Sequence, residues 1–289
     1  KELGADPRGI ESCTELINQT IEKASSEGGG TIYFPAGVYL TATIHMKSNI
    51  TLYVESGAVL RFSDRFEDYL PFVKIRWEGT VMNTLSPLIY AHDAENLTIT
   101  GRGTLNGNGF KWWSWEKETR ELIKKNGGKL PALNKLQRMW EEANEDLEIS
   151  DYYKPSLERR MFRPPFIQFY ECNNVLIENV KIVNSPFWTV NPEFCDNVTI
   201  KGITINNVPS PNTDGINPES CRNVHISDCH ISVGDDCITI KSGRDAQARR
   251  LGVPCENITI TNCTMLSGHG GVVIGSEMSG SVRKVTISN

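Results

Sequence analysis

No apolar run in this sequence approaches the roughly 20 residues that a bilayer-spanning helix requires, so no membrane segment is expected. A basic surplus is missing too: 30 Lys and Arg stand against 35 Asp and Glu, a formal charge of −5. That balance argues against the broad positive footprint of a nucleic-acid binder. An acidic polymer would have to be held by a local group of Lys and Arg. Hairpin signals are scarce: Asn106-Gly107-Asn108-Gly109 is the one candidate, and no strand pattern follows it, which counts against a β-sandwich. Lys1 is not an initiator Met and no charged-then-apolar leader precedes Gly4, so a removed leader or a piece of a longer chain is expected. The last repeat stops at Asn289 with no polar capping segment, so further C-terminal coils are also expected.

The 289 residues, 39% hydrophobic with 24 Gly, suit one large all-β domain. Among eight Cys, Cys221, Cys229 and Cys237 recur every eight residues, as do Cys255 and Cys263. Most read as core thiols, with Cys237–Cys263 the expected pair if a disulfide forms. A secreted or periplasmic address is expected, a cytoplasmic one stays open, and no obligate protein partner is foreseen. The Asn-X-Thr tripeptides at Asn49, Asn96, Asn197 and Asn257 resemble glycosylation acceptors, but they follow from a repeat that itself reads Asn-Val/Ile-Thr-Ile.

Apolar residues at helical spacing over 9–27, ended by Gly28-Gly29-Gly30, predict a helix that covers the open first coil of a solenoid. The pattern then becomes monotonous. Asn174-Val-Leu-Ile, Asn197-Val-Thr-Ile, Asn223-Val-His-Ile, Asn257-Ile-Thr-Ile and Lys284-Val-Thr-Ile follow one another at 23, 26, 34 and 27 residues. Coils of this length, with short apolar strands and Asn at a bend, predict a right-handed parallel β-helix. The longest step holds a polar turn insertion, Arg244 to Pro254. Residues 110–162 interrupt the repeat and predict charged helices at Trp113–Lys125 and Leu133–Leu147 that rim the binding face. Trp112, Trp113 and Trp115 belong to it, either as packing or as a sugar-stacking platform.

Three clusters fall into register: Asp214-Gly215-Ile216, Asp236-Cys237-Ile238 and Gly270-Gly271-Val272, running on to Ser220, Ser242 and Ser276. Asp235 then lies over His269. Successive coils hold equivalent residues about 4.8 Å apart, so three carboxylates and an imidazole are predicted on adjoining rungs. Like charges that close cannot all ionise, so at least one carboxyl keeps its proton to higher pH. A protonated carboxyl beside ionised ones suits glycosidic hydrolysis. The bland alternatives are Asp-Gly turns or a Ca²⁺ site. Lys241, outward on its strand, is a candidate for a substrate carboxylate or else a solvated Lys; Arg163 is a weaker one, and Glu277 a candidate for sugar hydroxyls. His225 and His230 read as exposed or structural.

Asn212-Thr213-Asp214, Gly234-Asp235-Asp236 and Gly268-His269-Gly270, with Gly30-Thr-Ile-Tyr-Phe-Pro-Ala-Gly-Val-Tyr39 and Gly101-Arg-Gly103, resemble the polygalacturonases, family 28 of the glycoside hydrolases. The resemblance implies hydrolysis of α-1,4-linked galacturonic acid in pectin, with inversion and without a metal or other cofactor. It implies Asp235 as general acid, Asp214 and Asp236 as activators of water, His269 as a tuning group and Asn212 as a substrate contact. The family's Arg-Ile-Lys motif would lie past Asn289. The helical insertion favours exo attack. Rivals are a rhamnogalacturonan or xylogalacturonan hydrolase, a Ca²⁺-dependent pectate lyase, and a non-catalytic adhesin or tailspike module. Adjacent rungs predict a carboxyl spacing shorter than the roughly 6.5–9.5 Å usual for inversion.

Overall fold

A computed structural model describes residues 3–129, 132–147 and 163–289. The chain winds as a right-handed parallel β-helix. Two eight-stranded sheets run its length, one from Arg8–Ser12 to Thr264–Ser267 and the other from Gly30–Phe34 to Val282–Ser288. A third face is built from Ile44–His45, Ile89–His92 and Ile167–Tyr170. It continues through single bridges at Val190 and Ile216 to Ile238–Ile240 and Val272–Ile274. Every neighbour pair in these faces is parallel, because each coil returns to the same face before starting the next. Strand alternation sends Val198, Ile200, Val224, Ile226, Ile258 and Ile260 inward, where they stack as one core.

The bends explain the recurring asparagine. Asn49, Asn96, Asn174, Asn197, Asn223 and Asn257 all hold φ between 56° and 64°, a left-handed conformation that Asn tolerates better than other side chains. Their amides form a ladder: Asn96 Nδ2 donates to Asn49 Oδ1 at 2.7 Å, Asn174 to Asn96 at 2.8 Å and Asn197 to Asn174. The ladder breaks where Asn223 donates to Asp196, then resumes from Asn257 to Asn223. At Asn96, Asn197 and Asn257 the amide nitrogen a glycan would occupy is thus already a ladder donor.

Four expectations are corrected. The capping helix spans Thr14–Ser26, not 9–27, because Arg8–Ser12 forms the first strand, against Val38 and Leu40. Ile10 therefore points away from the core, at 68% exposure. All eight thiols are free. Cys237 lies at the start of a third-face strand and hydrogen-bonds Ser267 O, whereas Cys263 follows a strand of another sheet and meets Thr261 O, so no bond joins them. The insertion helices run Phe110–Lys125 and Lys135–Ala143; the second starts at a capping box between Asn134 and Gln137 and stops short of Leu147. Residues 130, 131 and 148–162 of the predicted interruption lie outside the described residues. Finally, an antiparallel hairpin, Val73–Trp77 with Thr80–Thr84, turns at Glu78-Gly79 rather than at an Asn-Gly pair.

Trp112 is fully buried against Phe66 and Tyr69, and Trp113 donates to Ser185 O. The tryptophans pack the insertion onto the coils. Among the described residues no helix is long and apolar enough to cross a membrane.

Candidate active site

Ile216, Ile238 and Val272 occupy one row of the third face, so the residues just before them meet at its edge. Gly215 N donates to Asp236 O and His269 N to Asp235 O, which fixes the predicted register. Asp214, Asp235 and Asp236 each place an oxygen within 4.8 Å of the others. The turn at Gly234 needs glycine: a Cβ there would sit 1.7 Å from Ser210 O. Beyond Ile274 the predicted register slips. Ile240 still pairs with Ile274, but Gly243 pairs with Met278. Ser276 therefore leaves its expected row opposite Ser242, and Glu277 O accepts the Ser242 N–H instead. The Glu277 side chain turns inward to Lys241.

The three carboxylates have different surroundings. Asp214 is buried, accepts from Asn217 Nδ2 at 3.1 Å, and lies 3.8 Å from Lys241 Nζ. Its other oxygen has no hydrogen-bond partner. Burial pushes this carboxyl from 3.8 up to about 7; Lys241 acts against the rise, and Asp235 and Asp236 add to it. Asp236 is also raised, by burial first and then by Asp235. Asp235 is more open. It accepts from Asp236 N at 3.0 Å, from Asn212 Nδ2 at 3.3 Å, and lies 3.2 Å from His269 Nδ1. Asp214 therefore retains its proton toward neutrality, with an oxygen of each of the other two carboxylates within 4.8 Å.

Asn212 joins the site, but Arg163 does not reach it as a substrate ligand. Arg163 is buried and donates to Pro186 O, Pro211 O and Asn212 Oδ1, so it orients the loop that carries Asn212. Lys241 is not a solvated side chain. It is 3% exposed, donates to Glu277 Oε2 at 2.6 Å and to Gly275 O at 3.1 Å, and sits over the Trp188 ring. Strand alternation puts it outward, as expected, but neighbouring segments cover that face. Glu277 is likewise buried, bound by Lys241 and Arg244, and its carboxyl is held down to about 2 against the opposing effect of burial. It anchors both cations and also lines the cavity over the three Asp. His225 and His230 are exposed on strands away from the cluster.

Several participants lie outside the repeat. Arg244 comes from the polar turn insertion, and Arg76 from the hairpin. Arg76 is buried against Glu193 at 3.7 Å and Glu219 at 3.5 Å, in the row that leads through Glu219 to Lys241. Burial and the neighbouring Glu219 push Glu193 well above the ordinary carboxylate range. Strand alternation marks Glu193 and Glu219 as outward; nothing in the repeat announces the guanidinium that meets them.

A cavity of about 640 Å³ opens over Asp214, Asp235 and Asp236, and a second of about 450 Å³ adjoins it beneath the first insertion helix. Arg120, Asn212 and Asp235 line both. Among the described residues, the three Asp are the group whose oxygens would suit a hard cation such as Ca²⁺. Lys241 already sets a positive charge against the deepest of them.

The fold and the clustered carboxylates define a parallel β-helix protein with an acidic site on one face. The profile described as glycosyl hydrolases family 28 matches residues 152–289, and one described as rhamnogalacturonase A/epimerase, pectate lyase-like matches residues 1–126. The chain is similar to an exopolygalacturonase from Thermotoga maritima, at 43% identity and a TM-score of 0.84 over 99% of this chain and 64% of that one. It is 33% identical to a probable polygalacturonase from Vitis vinifera over 92% of this chain and 48% of that protein. An exo-poly-alpha-D-galacturonosidase from Dickeya chrysanthemi is 25% identical over 100% of this chain and 49% of its own length. The chain belongs to family 28 of the glycosyl hydrolases. It spans about half the length of these two curated relatives.

Proposed function

We propose that the protein hydrolyses α-1,4-galacturonosyl linkages of pectic polysaccharide, releasing units from a chain end. The carrying observation is the group of three carboxylates within 4.8 Å of one another at the junction of two cavities. Asp235 faces both cavities, which suits a bond whose two sugars lie one on either side. It delivers a proton to the leaving oxygen, and Asp214 with Asp236, once ionised, draws one from water. His269, beside Asp235, tunes that donor, and Asn212 meets the substrate at the same junction. Similarity to the exo-acting relatives supports attack from a chain end, as does the insertion helix over the smaller cavity.

The spacing admits a second stereochemical reading. The three carboxylates approach one another, by one oxygen each, within 4.8 Å, a closeness that leaves retention as a reading beside inversion. Inversion therefore requires a water held beside the carboxylates, within the polar pocket they share. Proton NMR of the first product on polygalacturonate separates the two: the β-anomer marks inversion, the α-anomer a covalent intermediate on a carboxylate. Asp235→Asn is expected to lower turnover by about 10²–10⁴-fold. Unchanged turnover removes Asp235 as donor, and an unsaturated, UV-absorbing product lost on chelation replaces hydrolysis with lyase chemistry.

A further inference from the structure

Three cationic side chains line the larger cavity: Lys241, Arg244 and Arg120. Lys241 and Arg244 are both engaged by Glu277. Arg120 differs. Its Nε donates to Glu116, whose side chain is only 4% exposed, while half of the Arg120 side chain remains open. Glu116 and Arg120 lie one turn apart on the helix Phe110–Lys125, and the buried carboxylate fixes the guanidinium without covering it. Arg120 borders both cavities together with Asp235 and Asn212.

A polyanionic substrate entering a cleft with Asp214, Asp235 and Asp236 at its floor meets like charge. Each uronate carboxylate near the scissile bond needs a cation, and a planar guanidinium is shaped for bidentate contact. We propose that Arg120 is a specificity-determining residue that binds the carboxylate of a galacturonosyl unit flanking the cleaved bond. It thereby discriminates free uronate from its methyl ester. This rests on the proposed hydrolysis of pectic polymers and assigns to the insertion a chemical task beyond bounding the cleft. A lysine at this position keeps the charge but loses the second parallel hydrogen bond.

The test compares the wild type, Arg120→Gln and Arg120→Lys on trigalacturonate and on its methyl-esterified form. Arg120→Gln is expected to lower kcat/KM on the free acid about 10- to 100-fold, the usual weight of a charged hydrogen-bonded contact. On the ester the loss should stay below about threefold, with Arg120→Lys intermediate. Equal losses on both substrates, or none on either, overturn the proposal. Wild-type turnover of trigalacturonate tests the hydrolase reading separately. Calorimetric binding of trigalacturonate to Asp235→Asn, with and without Arg120→Gln, reads the carboxylate contact even without turnover. Weakening of at least tenfold supports it, and unchanged affinity overturns it. Matching thermal unfolding of the variants shows that the helix is intact.

Discussion

Asp214 is costly to ionise where it stands. Unfolded, it releases its proton near the ordinary 3.8; folded, burial holds that proton until about pH 7. Between those values the native state binds more protons, so this group's stabilising contribution is whole below about pH 4 and is lost as pH rises through 7. The shift sets a ceiling of about 4 kcal/mol on the effect. Glu277 has the opposite sign: its carboxyl is depressed to about 2, so its contribution is present above the usual 4.5 and is lost as pH falls toward 2. Asp214→Asn is therefore expected to flatten the decline in thermal stability between pH 4 and 7 and to unfold at higher temperature than the wild type at pH 8. Scanning calorimetry across that range checks it. An unchanged slope would show that another group carries the proton. The cost therefore falls at and above about pH 7, where Asp214 is ionised, the form in which a carboxylate can draw a proton from water.

At the scale of elements, the asparagine bends were legible because one residue type answers two demands, a positive φ and an amide able to reach the next coil. The central rung makes the demand measurable. Asn174 accepts from Asn197 and donates to Asn96 while holding φ at 59°. Asn174→Ala loses both the ladder contacts and the side chain suited to that bend, and about 1–3 kcal/mol of stability is expected to go with them. Asn174→Gly restores the backbone freedom and should recover roughly 1 kcal/mol of it. Chemical denaturation of the two variants checks the division; equal losses would place the whole effect in the ladder. The hairpin was not legible for the converse reason. Its turn residues, Glu78 and Gly79, have φ of 43° and 81°, and a glutamate at the first position gives no sequence signal for such a turn. Yet this hairpin supplies Arg76, and its Gly79 lies where a Cβ would strike Arg244 and Glu277.

For the whole molecule, winding explains both what the repeat revealed and what it concealed. Aligning successive coils was enough to bring Asp214, Asp235, Asp236 and His269 together, because equivalent positions must stack. It said nothing of Arg120, Arg244 or Arg76, which enter from segments outside the repeat, nor that Lys241 would be covered. The same division bears on how a polymer is cut. The coils alone present an elongated face, whereas Glu116, Lys117, Arg120 and Glu121 of the insertion helix wall the smaller cavity next to Asp235. A chain able to lie through an open groove is cut internally, and its solution thins after few cleavages. A chain that must enter with its end is shortened unit by unit, and viscosity follows the slow loss of mass. On polygalacturonate, reducing ends are thus expected to accumulate well ahead of any fall in viscosity, with short products from the earliest time points. Viscometry alongside a reducing-end assay decides this. Rapid thinning with few ends released would mean that the wall leaves a passage and that the insertion's role is confined to binding.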